Sequence, residues 1–319
     1  GDDIWHGAKD RGDSAMYAYG ASRFLLSMGD KELALTFMDA IRACVDFTLS
    51  QINKDGVISS DSDELENRFE SGKANLSTSG IAYDALVSCA YLEKELGNLE
   101  RAEYCASHAE KLRTNIENYF GANVQGYDTY RYCAEETELR SWICLPLAVG
   151  IIDRVQGTTD ALLSPHLRMT EGLVTRSGEK TFWDRSTLYA LRGLFHAGQQ
   201  EKALELLETY TNARLLGNHI PYCVEAYPEG NQAQLSAESG LYVRIYTEGI
   251  LGYRPTGFNK FLLKPNLPKK WDFIKLTSFS AHNKQMDIEI TSIKDRYTIS
   301  LSNGFKTDIR HGEEVEIRL

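Results

Sequence analysis

No run of apolar residues in this chain approaches the roughly 18 needed to cross a bilayer as a helix. No stretch of Lys and Arg gathers into a dense stripe either. The first absence leads to the expectation of a soluble protein, periplasmic or cytoplasmic. The second, together with 45 acidic against 35 basic residues and a formal net charge of -10, argues against polyanionic partners such as nucleic acid. CxxC spacing is missing among the six cysteines (Cys44, Cys89, Cys105, Cys133, Cys144, Cys223), which fall mostly in apolar helical stretches, so buried free thiols are expected rather than a zinc site or a disulfide framework. His219 is read as a loop-orienting hydrogen bonder rather than a metal ligand, and neither a metal nor a cofactor is expected. The chain opens on Gly1-Asp2-Asp3 and not on a signal peptide.

What is present is a chain of 319 residues, 42% hydrophobic, enough for one large core with an appendage. Apolar residues recurring with period 3.6 predict nine helices, at 14–28, 31–52, 77–96, 98–119, 136–151, 158–168, 185–197, 200–213 and 236–251. Gly29-Asp30, Gly97-Asn98 and Gly198 separate consecutive helices, and Asp13-Ser14 and Ser77-Thr78 are read as N-terminal caps. Short glycine turns alternate with longer polar loops at 53–76, 120–135, 169–184 and 214–235, the pattern of stacked helical hairpins whose long loops collect on one face. From Phe258 the period changes to two, as in Asp287-Ile288-Glu289-Ile290 and Arg296-Tyr297-Thr298-Ile299, so a β module is expected at 258–319 after a helical domain at 1–252. A helical solenoid that binds proteins would also be built of hairpins, but no consensus recurs at a fixed period here.

The densest cluster of polar chemistry lies between His219 and Gly240 (HIPYCVEAYPEGNQAQLSAESG), where Glu225, Glu229 and Glu238 stand among Tyr222, Tyr227, Pro221, Pro228 and Gly230. Pro and Gly punctuate it as a loop, and loops on a rigid scaffold are where catalysis tends to sit. An acidic solvated loop is the plainer reading; the number of aromatics speaks against it, as does the neighbouring cluster Thr181-Phe182-Trp183-Asp184-Arg185-Ser186. A nucleophilic Cys223 beside His219 is a further alternative, although His219 without such a role would orient the loop by hydrogen bonding.

Several blocks together resemble the six-hairpin, or (α/α)6-barrel, glycoside hydrolases, the superfamily of debranching enzymes, α-rhamnosidases, processing α-glucosidases and trehalase-like enzymes. They are Asp10 to Ser14, the stretch FWDRSTLYALRGLFHAG, the loop VEAYPEG and the closing EGILGYRPTGFNKFLLKPNLPKKW. The resemblance implies a mainly α toroid of helical hairpins with a small C-terminal β module. It also implies an Arg-Asp-Ser-like helix opening (Arg11 to Ser14), an acid block at Asp55 to Phe69, a Trp-led block at Phe182 to Ser186, and a base loop at Glu225 to Tyr227. The acid block departs from the relatives, which carry a Trp before their Asp where this chain reads Asp61-Ser62-Asp63-Glu64-Leu65-Glu66-Asn67-Arg68-Phe69. Nine helices where that fold has twelve imply the C-terminal part of a longer enzyme, with the missing wall open or supplied by another chain.

Glycosidic cleavage needs one protonated carboxyl for the leaving oxygen and one carboxylate to activate water or attack the sugar, because the transition state is oxocarbenium-like. Glu225 is the expected base and Glu66 the expected acid, with Asp63 next for the acid and Glu229 or Glu238 next for the base. Asp184 and Asp13 are expected to bind sugar hydroxyls or fix Arg185 and Arg11; each is equally placed to cap a helix. Trp5, Trp183, Tyr222 and Tyr227 are candidate stacking platforms, with Trp142 divided between platform and core, while Tyr83, Tyr91 and Phe195 are read as packing. Arg68 and Arg140 suit either a uronic-acid carboxylate or neighbouring glutamates, the latter favoured. The expected activity is an inverting glycoside hydrolase acting on an oligosaccharide or polysaccharide-derived glycoside. A non-catalytic helical scaffold, a carbohydrate-binding module and a phosphorylase of the same fold are the alternatives.

Overall fold

The computed structural model describes residues 12–60, 62–63, 69–216, 223–224, 226–227 and 236–319. Four long helices come first: α1 (Asp13–Met28), α2 (Lys31–Ser50), α3 (Leu76–Glu95) and α4 (Leu99–Phe120). A hairpin of β1 (Gly121–Val124) and β2 (Tyr127–Tyr130) leads to a 3-10 turn (Ser141–Cys144), α5 (Leu145–Ala148) and α6 (Val155–Leu162). Two-residue strands β3 (Arg168–Met169), β4 (Gly172–Leu173) and β5 (Phe182–Trp183) precede α7 (Asp184–His196) and α8 (Gln200–Arg214). After β6 (Ala226–Tyr227) comes α9 (Ser236–Arg244), which continues as a π-helix over Ile245–Ile250. The protein is therefore mainly α up to residue 250.

Burial patterns sort the helices. In α2 the buried side chains are Ala34, Met38, Ile41, Val45 and Thr48, one face of a surface helix. α4 behaves likewise, with Cys105, Ala109, Leu112 and Ile116 inside. By contrast α3 and α7 are buried on nearly every side, and many of the buried positions are small or polar, such as Ser77, Thr78, Ser79 and Gly80 in α3. α7 is the hub, packing on α5, α8, α9 and the π-helix.

Local signals explain most boundaries. The Asp30 side chain accepts from the Leu33 N–H at 3.0 Å and caps α2. At α3 the cap is not Ser77 but Asn75, whose carbonyl oxygen accepts from the Thr78 N–H at 2.9 Å. Asp13 is not a cap either: α1 starts on it, with Gly12 in the cap position. The expected helix at 136–151 shrinks to the 3-10 turn and the single turn of α5, because Arg140 is held extended in a bridge to Arg176. Residues 141–145 are buried throughout, a continuous apolar run whose period does not distinguish a helix from other buried backbone. The stretch read as a polar loop at 120–135 contains the β1–β2 hairpin, turned at Gln125-Gly126 with φ of 48° and 91°.

Residues after 250 form two antiparallel sheets. The strands are β7 (Arg254–Gly257), β8 (Lys260–Leu263), β9 (Phe273–Ala281), β10 (Lys284–Ile293), β11 (Arg296–Leu301), β12 (Lys306–Arg310) and β13 (Val315–Arg318). One sheet has the order β12-β11-β10-β9, and the other β13-β8-β7. Met286, Ile288 and Ile290 alternate inward along β10, as do Tyr297, Ile299 and Leu301 along β11, so each strand buries one face. The Asn283 N–H donates to the Met28 carbonyl at 2.9 Å and its side-chain amide to the Gly29 carbonyl at 3.0 Å, so this module terminates α1 by donating to its free carbonyls.

A charge network joins the helices to the sheets. Glu248 in the π-helix accepts from Arg23 of α1 (2.8 Å), Arg192 of α7 (3.0 Å) and Arg244 of α9 (2.6 Å). Asp84 of α3 accepts from Arg254 of β7 at 2.6 Å and lies 3.7 Å from Arg23. Both the Arg192 and the Arg244 guanidinium donate to the Tyr19 hydroxyl. Burial pushes the Glu248 carboxyl up, but Arg244, Arg23 and Arg192 outweigh it and hold it well below the usual carboxylate range. The Tyr19 phenol is lowered in the same way, by Arg192, Arg244 and Arg23 against its burial.

Two predictions follow from this packing. A Cβ on Gly29, at φ 70°, would lie 2.5 Å from the Phe258 carbonyl oxygen and 2.7 Å from the His282 Cα, both backbone. Gly29→Ala should therefore cost at least about 2 kcal/mol in urea unfolding, whereas Gly97→Ala, with open space around it, should cost about 1 kcal/mol. Equal losses would show that the docking of the sheets does not constrain Gly29. The second concerns His196, whose imidazole is pushed from 6.5 down to about 4 by burial, aided by Lys264, Arg254, Arg23 and Arg192. The unfolded chain takes up this proton near pH 6.5 and the native chain only near 4, so the stability due to the neutral ring is full above 6.5 and is lost as pH falls. His196→Gln should reduce the difference in unfolding free energy between pH 7 and pH 5 by about 1 to 2 kcal/mol.

Candidate active site

A cavity of about 610 Å3 opens at the N-terminal ends of three helices. α1 contributes Gly12, Asp13 and Met16, α3 contributes Ser77, Thr78 and Ile81, and α7 contributes Arg185 and Tyr189, all from the first two turns. α9 lays one face along it through Ala237, Gly240, Leu241 and Arg244, and the 3-10 turn closes it with Trp142. Helix dipoles present their positive ends there, and among the described residues the lining adds two arginines to one aspartate. The Trp142 ring stands edge-on to Tyr189 with centroids 5.7 Å apart, forming an apolar wall. Trp142 Nε1 and Thr78 Oγ1 are buried with no hydrogen-bond partner among the described residues. A cavity walled by aromatic rings and the hydroxyl residues of a helix start suits a ligand with both C–H faces and hydroxyls.

Beside this cavity, β5 pairs with β6, Phe182 opposite Tyr227 and Trp183 opposite Ala226. The pairing ties residues 226–227 to the start of α7. Arg214 reinforces it: its guanidinium sits 4.2 Å from the Tyr227 ring centroid and 5.4 Å from that of Phe182. Its Nε donates to Asp184 at 2.9 Å, and the Tyr210 hydroxyl donates to the same carboxylate oxygen at 3.1 Å. Asp184 thus fixes an arginine, but the arginine is Arg214 and not Arg185. Burial holds the Asp184 carboxyl above its ordinary range against the pull of Arg214. Arg185 instead donates to Glu238 at 2.7 Å, and the other Glu238 oxygen is buried without a hydrogen-bond partner among the described residues. Trp183 is buried rather than presented to the cavity.

Asp63 lies in a separate buried cluster. It accepts from the Tyr132 hydroxyl at 2.6 Å and faces Arg140 Nη2 at 3.5 Å, while Ser77 of the cavity wall is 3.0 Å from the same hydroxyl. Arg140 stacks 3.6 Å from the Tyr132 ring centroid and lies 3.9 Å from Glu136, so it is committed to neighbouring groups. Burial and the Asp63 charge raise the Tyr132 phenol well above its usual value and keep it a donor. Cys223 is buried and its thiol is pushed up to about 11, chiefly by burial, which argues against a nucleophilic role at neutral pH. Among the described residues no cluster of His, Cys, Asp and Glu has the arrangement of a metal site.

Trp5, Arg11, Glu66, Arg68, His219, Tyr222, Glu225 and Glu229 lie outside the described residues. Those segments adjoin described ones already placed: Gly12 lines the cavity, Asp63 lies one hydroxyl behind it, and residues 226–227 are paired to the start of α7. Sequence patterning passed over Thr78, Tyr189 and Arg244. Arg244 and Glu248 look in sequence like an i,i+4 pair on a wet helix surface, and Thr78 like a cap.

No protein-family model matches the sequence, and no curated protein matches it. Solved structures do. A sialidase matches with TM-score 0.71 at 14% identity over 95% of this chain and 32% of its own. The α-L-rhamnosidase from Dictyoglumus thermophilum matches with TM-score 0.61 at 15% identity, over 93% of this chain and 34% of its own. A glycosidase described as wild type matches with TM-score 0.55 at 15% identity over 75% and 66% of the two chains. The chain thus spans about a third of the sialidase and of the rhamnosidase. At these identities the likeness concerns the fold alone: over nearly its whole length the chain folds as part of the sialidase and rhamnosidase structures do.

Proposed function

We propose that this chain is the catalytic part of a glycoside hydrolase that cleaves an oligosaccharide or polysaccharide-derived glycoside with two carboxylates. The observation that carries the reading is the β5–β6 pairing, which ties residues 226–227, next to Glu225 in sequence, to the start of α7 beside a cavity of about 610 Å3 at the N-terminal ends of α1, α3 and α7. A scaffold for proteins needs no such concavity. The likeness to the sialidase and rhamnosidase structures supports the same class of substrate.

In this reading residues 1–252 belong to an α/α toroid and 258–319 to a β module that closes its side, further helices or a second chain completing the wall. Glu225 is the base and Glu66 the acid. Inversion requires a water between base and anomeric carbon, hence a carboxyl separation of roughly 6.5 to 9.5 Å. Asp63, clamped by Tyr132 and Arg140, positions the acid loop and leaves proton donation to Glu66. Trp142 and Tyr189 carry the apolar face of the sugar, and Thr78 and Asp13 meet its hydroxyls. Asp184 and Arg214 hold the base loop without touching substrate.

Glu225→Gln keeps size and hydrogen bonding but removes the base, so turnover of a cleaved aryl glycoside should fall by roughly two to four powers of ten. Sugar binding, followed by calorimetry, should persist. Glu66→Gln should hurt glycosides with poor leaving groups far more than activated aryl glycosides, since only the former need the proton in the transition state. Near-normal turnover of Glu225→Gln would remove it as the base, and product of retained anomeric configuration by NMR would remove the inverting mechanism.

A further inference from the structure

Cys89 of α3 and Cys105 of α4 face each other across the hairpin, their sulfurs 3.9 Å apart and both side chains wholly enclosed. Both are free thiols. The sulfurs of Cys133 and Cys144 are turned instead to the backbone carbonyls of Glu70 and Ser186, and Cys223 lies beside Tyr210. A disulfide needs its sulfurs to close to about 2.05 Å. At positions 89 and 105 they are already in contact, on neighbouring helices joined by the short turn at Gly97, so the bond asks for no exchange of packing partners.

The surroundings make the two sulfurs unequal. Arg101 stands one turn before Cys105 on α4, its guanidinium held by Asp46 and lying 5.0 Å from the Tyr104 ring centroid. The Cys105 thiol is lowered by its contact with Cys89 and by Arg101, against its burial, whereas Cys89 is pushed up, chiefly by the same contact. Glu93 opposes ionisation, but its carboxylate accepts from Arg42 at 2.7 and 2.8 Å and from Asn98 at 2.8 Å, which offsets its charge. A sulfur that ionises first, touching one that stays protonated, is the arrangement of an attacking and a resolving cysteine.

We propose that Cys89 and Cys105 form an oxidation site, which a small peroxide converts into a disulfide that ties α3 to α4 and stabilises the hairpin. The Cys105 thiolate attacks hydrogen peroxide; an S–O bond forms, the O–O bond breaks, and the departing hydroxide takes up a proton to leave as water. The Cys89 sulfur then displaces hydroxide from the sulfenic acid and gives up its own proton, which leaves with that hydroxide as a second water. Two thiols lose two electrons and one peroxide becomes two waters. Because both sulfurs are enclosed, the peroxide enters through local opening of the hairpin end. The site is independent of the glycosidase reading.

The test treats the folded full chain with hydrogen peroxide, blocks the remaining thiols by alkylation in denaturant, and digests without reduction. Trypsin cuts after Lys73, Lys94, Arg101 and Lys111, so Cys89 and Cys105 are released in separate segments, each holding no other cysteine. The two segments should appear joined, lighter by two hydrogens than their sum, and should separate on reduction. Exposed Met16 serves as an internal clock through its sulfoxide. The oxidised chain should melt higher by roughly 3 °C or more, since the tether restricts the unfolded chain, and dithiothreitol should reverse the rise. In Cys89→Ala and Cys105→Ala the joined segments and the rise should both be lost, and the remaining sulfur should advance to the sulfinic acid. Should these variants fail to fold, the segment map and melting of the unaltered chain decide. Cys89 and Cys105 still found as thiols once half of Met16 is oxidised, or oxidised singly without joining, would overturn the site. Joined segments with an unchanged or lowered melting midpoint would overturn the stabilising tether.

Discussion

Glu248 is the residue on which the arrangement of the helices turns. Its carboxylate receives arginines from α1, α7 and α9 at once, and Asp84 extends the set to α3 and β7. An ion pair in such surroundings adds little net stability compared with apolar packing, but removing one partner costs about 3 to 5 kcal/mol, because the other charges stay behind. The network therefore acts less as glue than as a register: helices slid by a turn would strand charges. The π-helix that carries Glu248 belongs to this constraint. Such helices are rare and cluster at functional sites, and here Gly249 within it approaches Arg192, where a Cβ would lie 3.2 Å from the carbonyl oxygen.

With that register set, the cavity follows from composition. α3 and α7 are enclosed by other elements and cannot be uniformly large and apolar, so their first turns carry Ser77, Thr78, Arg185 and Ser186. Polar side chains at the buried start of a helix satisfy its unpaired N–H groups, or one another, as Ser186 does with Ser141 at 2.8 Å. The same end holds the positive side of each dipole. A concavity with hydroxyls, arginines and a tryptophan is the outcome, and it owes its depth to elements far apart in sequence.

How far the sequence reveals this depends on the range of the interaction. The spaced apolar face of α2, the Gly29-Asp30 junction and the alternation in β10 are local signals, and each corresponds to an observed element. Residues 136–151 mislead because an apolar run buried on all sides loses its period. The aromatic cluster before α7 and the loop after α8 stand out in sequence, but their pairing through Phe182 and Tyr227 is long-range and leaves no local trace. Asp184 illustrates the limit best. An acid next to Arg185 invites a pair between neighbours, yet adjacent positions on a helix point in different directions, and the partner comes from α8 thirty residues on. Arg192, Arg244 and Glu248 are equally hidden, since only their side-chain contacts with Arg23 and Tyr19 of α1 reveal that they share one centre.

The sheet formed by β7, β8 and β13 has a consequence for the order of assembly. β8 is flanked by β7, its neighbour in sequence, and by β13, which is synthesised after every other described element. Arg254, which completes the charge set at Asp84, sits on β7. The helices can collapse on their apolar faces while the chain is still growing, but β8 keeps one edge unpaired until Val315 to Arg318 emerge. During that interval the nascent chain exposes a strand edge, so the time before β13 emerges is when it would most need shielding from neighbouring chains.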